Sequence, residues 1–311
     1  MLFVPLKPME PIAARSVPQS ENYLYQVKWD GVRLIAHTGN GKLLLHNRKL
    51  LERTHHYPEL YCLQAFSAAG TILDGELVAL KDGRPSFPLV LQRDLAVPDP
   101  GKVRRLMSSI PVIYMVFDIL WYNGRALLNL PLIDRQELLA EVLPANDYIN
   151  RVENFQEGVF LFEAAKNNKT EGIVAKERES NYYPGKKLPL WQKIKVRQKQ
   201  LVTVGGYTIK EGQIKSLLAG AYLNGRLIYL GRVAAGLSAR DLAELTCFLK
   251  ASERPVSPFA NKTAAIGQVW VEPRLTMLVE FQEWTADLLM RQPVVKGFTK
   301  DKPENCVLDS G

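Results

Sequence analysis

Gln26-Val27-Lys28-Trp29-Asp30-Gly31-Val32-Arg33 is the stretch on which the reading of this chain turns. Just upstream, Tyr23, Tyr25 and Val27 alternate with Leu24, Gln26 and Lys28, the period of a half-buried strand. Lys28 therefore stands at a strand end, before an Asp-Gly turn. A lysine in water is a poor nucleophile, because a reference pKa of about 10.4 leaves roughly one molecule in a few thousand neutral at pH 7. A lysine fixed on a strand, partly desolvated and surrounded by other cations, can lose its proton and attack a phosphate. Taken alone, the position reads more simply as a surface lysine beside a hairpin turn. The rest of the chain decides.

Working outward, strands over residues 32–37 and 42–46 flank Thr38-Gly39-Asn40-Gly41, a hairpin signal. Further strands are expected over 71–73, 76–80, 112–120 and 172–176, with helices over 133–142 and 158–166. The mixture predicts an α+β fold with antiparallel sheets. Arg197-Gln198-Lys199-Gln200 reads as an interdomain linker, dividing residues 1–197 from 198–311. Beyond it, strands are expected over 201–209, 217–223 and 226–233, the last two joined at Asn224-Gly225. Ser238 caps a helix running to about Lys250, and strands over 268–271 and 276–283 follow. Three strands, a helix and two strands is the order of an OB-fold barrel.

Composition narrows the class. The 311 residues are 47% hydrophobic and 23% charged, a globular chain with a proper core. No stretch approaches the roughly 20 apolar residues that span a bilayer, so no membrane is involved. The opening residues are broken by prolines and show no signal-peptide core, which places the protein in the cytoplasm. Cys62, Cys247 and Cys306 lie far apart without metal-ligand spacing, against a disulfide framework or a zinc module. A net charge of +8 and a pI near 9.3 fit a polyanionic partner.

Short polar motifs interrupt the apolar strands. Asp74-Gly75-Glu76 breaks one run, and Glu171 opens Glu171-Gly172-Ile173-Val174-Ala175-Lys176. Acidic residues at strand ends suit Mg²⁺ or the hydroxyls of a ribose, although each alone reads as an ordinary turn or strand start. Trp191-Gln192-Lys193-Ile194-Lys195 puts two lysines on one face of a strand, where they can clamp a phosphate or simply be solvated. Arg48 is a loop arginine with the option of a phosphate or sugar contact. Phe117, beside Asp118, is by default core, though an aromatic at a nucleotide pocket can stack on a base.

The order of these pieces resembles the nucleotidyltransferase superfamily of ATP-dependent DNA ligases and mRNA capping enzymes. The resemblance continues through Gly205-Gly206-Tyr207, Ser216-Leu217-Leu218-Ala219-Gly220, Gly231-Arg232-Val233, Ser257-Pro258-Phe259 and Glu283-Trp284-Thr285, which look like the OB domain of bacterial ATP-dependent ligases. Within that family the chain is most similar to the ligase module of non-homologous end joining. The resemblance implies that Lys28 attacks the α-phosphate of ATP and holds AMP as a phosphoramidate. Arg33 and Arg48 would contact sugar and phosphates, Glu76 ribose or metal, and Glu171 the catalytic Mg²⁺, with Mn²⁺ as a substitute. Phe117 would stack on adenine, Lys193 and Lys195 would neutralise the α-phosphate, and Gln26, Val27 and Lys176 would complete the nucleotide site. AMP would pass to the 5′-phosphate of nicked or broken duplex DNA, and the 3′-hydroxyl would then displace it.

The same resemblance implies a monomer of the bacterial cytoplasm, associated with the nucleoid, and Ku as partner. Two departures from the family pattern stand out. Gln26 replaces a usual glutamate, and Gly297-Phe298-Thr299-Lys300-Asp301-Lys302 has threonine where the family's C-terminal motif carries arginine. Lysine at 300 lacks the planar fork of arginine, so slow self-adenylylation is expected. The competing readings are an RNA ligase or capping guanylyltransferase, and a non-catalytic OB protein with a decayed transferase domain.

Overall fold

The computed structural model describes all residues except 67–68, 82, 97–98, 144–145, 169, 211, 262–266, 286 and 309–311. The chain divides into two compact units, Met1–Val196 and Arg197–Gly311. Among the described residues no helix is long and apolar enough to cross a membrane.

The first unit holds two sheets. In chain order its strands are β1 (Glu10–Ala13), β2 (Tyr23–Val27), β3 (Val32–Gly39), β4 (Lys42–Asn47), β5 (Thr71–Lys81), the two-residue β6 (Arg84–Pro85), β7 (Val112–Tyr122), the two-residue β8 (Arg125–Ala126), β9 (Ile149–Arg151), β10 (Gly172–Glu177) and β11 (Lys187–Lys195). One sheet runs β1-β11-β10-β2 and the other β4-β3-β5-β7-β8, with β6 on β5 and β9 on β7. Pairing is antiparallel except for β1 with β11 and β9 with β7. Helices α1 (Phe87–Asp94), α2 (Pro100–Ser109), α3 (Leu132–Val142) and α4 (Gly158–Asn167) accompany them. Leu34, Leu45, Tyr57, Leu73, Val116 and Leu139 anchor the core around the larger sheet.

Three features depart from the sequence reading and bear on the site. First, Asp30-Gly31 is no hairpin turn: β2 and β3 belong to different sheets, and residues 28–31 cross between them. Gly31 is required by close approach, since a Cβ there would meet the Leu77 carbonyl oxygen at 2.2 Å. Second, Asp74-Gly75-Glu76 does not interrupt a strand; β5 runs unbroken through it. The irregularity lies in the partner, where Asp74 pairs with Asp118 and Gly75 with Val116, leaving Phe117 as the extra residue of a bulge. Such bulges re-aim a side chain. Third, α1 and α2 were not expected. Each has proline in its first turn, and the Asp99 side chain accepts from the Lys102 amide at 2.8 Å, which are helix-start signals.

The second unit contains β12 (Gln198–Lys210), β13 (Gln213–Leu223), β14 (Arg226–Val233), α5 (Ala239–Lys250), the two-residue β15 (Glu253–Arg254), β16 (Gln268–Val271), β17 (Thr276–Phe281) and β18 (Val294–Thr299). The polar stretch read as a linker is already strand from Gln198, where Lys199 faces Glu280 across β17. Opposite charges facing each other across the ladder favour a strand here without an apolar run. β12 pairs with β17 over its first half and with β16 over its second, switching at Gly205-Gly206. Ser238 and Asp241 form a capping box at the start of α5. Val204, Leu217, Leu230, Met277 and Phe281 build this unit's own core.

Candidate active site

Strands of both sheets in the first unit converge on a small cavity of about 70 Å³. Its walls include Gln26, Val27, Lys28, Arg33, Glu76, Phe117 and Lys176, all singled out from sequence. Pro11, Trp29, Val174 and Trp191 add apolar surface. Arg48, Glu171, Lys193 and Lys195 are not among the lining residues.

Lys28 lies just past β2, and its amide donates to the Gly172 carbonyl at 2.9 Å. Glu171 immediately precedes β10, and Lys195 lies opposite Gly172 in the β10–β11 ladder. Gly172 has φ +142, and a Cβ there would strike the Ile194 carbonyl oxygen at 2.1 Å, so this crossing admits only glycine. The result is a three-membered ion cluster. Lys28 Nζ donates to Glu171 Oε2 at 2.5 Å and Lys195 Nζ to Glu171 Oε1 at 2.7 Å. Burial acts to raise the Glu171 pKa, but the charge of Lys28 and hydrogen bonds from both lysines outweigh it and hold the carboxylate low. Lys193 faces Val174 two residues before Lys195. Its pKa is lowered by burial and then by the charges of Lys28 and Lys195.

A second charged group lies deeper. Arg33 Nε and Nη2 grip Asp74 at 2.6 and 2.7 Å, and Nη2 also donates to the Met9 carbonyl at 3.2 Å. Burial works against the Arg33 charge, but Asp74 outweighs it and fixes the cation. The guanidinium sits 4.3 Å from the centre of the Phe117 ring, the residue pushed out by the bulge. Lys176 Nζ is 4.4 Å from the same ring and 4.2 Å from that of Trp191. Burial draws the pKa of Lys176 down to about 7. Glu76, opposite Arg33 in the β3–β5 ladder, has its pKa raised to about 7, burial outweighing Arg33 and Lys28. A purine stacked on Phe117 therefore shares the ring with two cations or displaces them.

Gln26 is buried in an amide chain. Its Nε2 donates to Asn154 Oδ1 at 2.7 Å and to Gln136 Oε1 at 3.3 Å, Asn154 Nδ2 donates to Gln136 Oε1 at 3.0 Å, and Gln136 Nε2 donates to the Phe117 carbonyl at 2.9 Å. That carbonyl can only accept, so it orients all three amides. Val27 packs its side chain with Tyr25 and Ile173. Arg48 stands apart, exposed and paired with Glu10 at 2.8 Å.

Sequence reasoning missed Arg135 and Tyr182. Arg135 clamps Asp118 at 2.8 and 3.0 Å with both side chains fully buried, fixing the residue next to Phe117. Tyr182 donates to Asp74 at 2.6 Å. An arginine in a helical pattern and one of two adjacent tyrosines in a loop carry no local signal of such roles.

Donor chemistry allows a test of the implied ligands. Among the described residues no group of three or more His, Cys, Asp or Glu side chains is assembled for a metal. Mg²⁺ is commonly held by one or two carboxylates with substrate phosphates and water, and Glu76 and Glu171 are the carboxylates that would hold it here. The two lie near enough that the charge of Glu171 acts on Glu76. An aromatic platform, apolar walls and amide hydrogen-bonding groups beside lysines and an arginine fit a purine nucleotide.

Comparison with known proteins fixes the class. The family described as ATP dependent DNA ligase domain matches residues 1–195, and that described as ATP dependent DNA ligase C terminal region matches residues 210–302. The chain belongs to the ATP-dependent DNA ligase family.

Particular relatives sharpen the placement. The chain is 32% identical over 293 residues to the multifunctional non-homologous end joining protein LigD of Mycolicibacterium smegmatis, covering 91% of this chain and 37% of that protein. The chain thus spans little more than a third of that relative. It is 28% identical over 327 residues to a DNA ligase of Methanosphaera stadtmanae, covering 97% of this chain and 57% of the other. Among solved structures, the ligase domain of M. tuberculosis LigD superposes with a TM-score of 0.57 at 31% identity, covering 98% of each chain. A mycobacterial DNA ligase D complexed with ATP and MES gives 0.56 at 32%, covering 97% of this chain and 98% of that one.

Proposed function

We propose that this chain is an ATP-dependent DNA ligase working through a lysyl-AMP intermediate, sealing nicked or broken duplex DNA, with end joining as its setting. The observation that carries the reading is the meeting of Lys28 with Glu171 and Lys195 beside a cavity built around Phe117. Lys28 Nζ, released from Glu171 and deprotonated, attacks the α-phosphorus of ATP; an N–P bond forms and the bond to pyrophosphate breaks. Lys193 and Lys195 face the charge that builds on the α-phosphate. Bound Mg²⁺ would neutralise phosphate charge, with Glu76 and Glu171 holding it. Arg33 fixes the face of Phe117 against the base, while Gln26, Val27 and Lys176 line the same pocket. A 5′-phosphate oxygen of the DNA then attacks the phosphorus, the N–P bond breaks and Lys28 recovers a proton. The 3′-hydroxyl finally attacks the activated 5′-phosphate and AMP leaves.

Mass spectrometry after incubation with ATP and Mg²⁺ tests this directly. One AMP should map to Lys28, disappear on addition of nicked DNA, and never form on Lys28→Ala; an adduct on that variant would sink the reading. Within the same reading, Thr299 slows the loading step. Its hydroxyl pairs with that of Thr276 at 2.9 Å instead of offering a charged fork. Thr299→Arg should therefore raise the single-turnover rate with ATP, and an unchanged rate removes that role.

A further inference from the structure

Tyr182 is buried and belongs to none of the motifs so far assigned a role. Its hydroxyl closes a ring of hydrogen bonds. The hydroxyl donates to Asp74 Oδ2 at 2.6 Å, Arg33 Nη2 donates to the same oxygen at 2.7 Å and to the Met9 carbonyl at 3.2 Å, and the Met9 amide donates back to the hydroxyl at 2.9 Å. The peptide of Met9 is thereby held at both its N–H and its C=O. Two residues further on, Pro11 lines the cavity, and the guanidinium that completes the ring stands against Phe117. Burial, reinforced by the charge of Asp74, drives the phenol pKa well above its ordinary value and keeps it a donor.

We infer that Tyr182 is a positioning residue: through Asp74, Arg33 and the Met9 peptide it sets two walls of the nucleotide pocket and governs capture of ATP rather than the chemical step. Without the hydroxyl, the Met9 amide loses its buried partner and Asp74 loses one of its donors. Arg33 is then free to swing with Asp74, and the Pro11 wall with Met9. A platform that must be reordered for each nucleotide binds it more weakly. Lys28, Glu171 and Lys195 take no part in the ring, so the bonds made and broken in the transfer are untouched.

This inference rests on the ligase reading, and the test separates the two. Tyr182→Phe removes the oxygen but keeps the ring edge-on to Trp191 at 5.7 Å and beneath Arg135 at 5.9 Å. Self-adenylylation is measured against ATP concentration. The expected result is a KM for ATP raised on the order of ten-fold, in keeping with loss of a hydrogen bond to a charged group, with the saturating rate within about two-fold of native. An unmoved KM with a reduced saturating rate is the signature of a merely structural residue and overturns the inference alone. A native protein that forms no adduct overturns both. Should the variant fail to fold, the native protein supplies the readout: amide exchange over residues 7–13 should slow when the α,β-methylene analogue of ATP binds, and unchanged exchange refutes the inference.

Discussion

Two ionic groups whose first members, Lys28 and Arg33, stand close together in the sequence are built on opposite plans. Arg33 and Asp74, with Tyr182, form a clamp in which the carboxylate is fully buried and takes three hydrogen bonds. Lys28, Glu171 and Lys195 form a trio in which one carboxylate is divided between two lysines that keep 21% and 23% of their side-chain surface exposed. Removing one member of a buried pair leaves an uncompensated charge, whereas a partly hydrated lysine can be released at small cost. On the proposed reading, chemistry would draw on the trio and the clamp would supply the shape. On that reading, too, a divided carboxylate would keep the lysine nucleophile in place until phosphate competes for the lysines and a metal ion for Glu171.

The comparison breaks most sharply at the clamp. Asp74→Ala should cost about 3–5 kcal/mol of stability, read from urea unfolding, and a loss under about 1 kcal/mol would mean the clamp is dispensable. Glu171→Gln should leave stability within about 1 kcal/mol but slow adenylylation by about 10²-fold, the order expected for loss of one preorganised electrostatic group. If that variant instead unfolded at the urea concentration of Asp74→Ala, the two plans would be one.

Glu76 sharpens the contrast through pH. Its folded pKa, about 7, lies above the ordinary 4.5. Between these values the folded state holds a proton that the unfolded state has lost. Its contribution therefore favours folding most below about 4.5 and is lost as pH rises through about 7. Glu76→Gln should flatten that slope, and it should also abolish any rise in adenylylation rate near pH 7 that comes from ionising a metal or ribose ligand. An unaltered stability profile would remove Glu76 from the account. The smallest effect belongs to Arg48, with its side chain 65% exposed. Arg48→Ala should change stability by no more than about 0.5 kcal/mol while weakening nick binding and reducing its salt slope by about one. An unchanged salt slope would leave it without a phosphate.

Much of the fold was legible because local rules sufficed. Alternation marked β2, Asn224-Gly225 marked the β13–β14 turn, and Ser238 marked the start of α5. Helices expected over 133–142 and 158–166 appear as Leu132–Val142 and Gly158–Asn167. What was hidden depends on partners distant in sequence. β5 looks broken at Asp74-Gly75-Glu76, yet the accommodation is made by Phe117 on β7, some forty residues later. At the candidate site, the polar motifs were visible as residue types, but not their hydrogen-bond partners. That Arg33 would be committed to Asp74, and that Arg48 would lie outside the cavity wall, follow only from register and packing.

The amide chain behind Gln26 carries a consequence for how the pocket can change over generations. Because the Phe117 carbonyl dictates the sense of Gln136, and Gln136 that of Asn154 and Gln26, the three side chains are inherited as one polarity. Glutamate at 26 would place an acceptor against the oxygens of both neighbours, so it becomes acceptable only after Asn154 or Gln136 has changed. The order in which those substitutions occur is therefore constrained, and a homologue with glutamate at the position of Gln26 should carry a compensating donor at one of the other two.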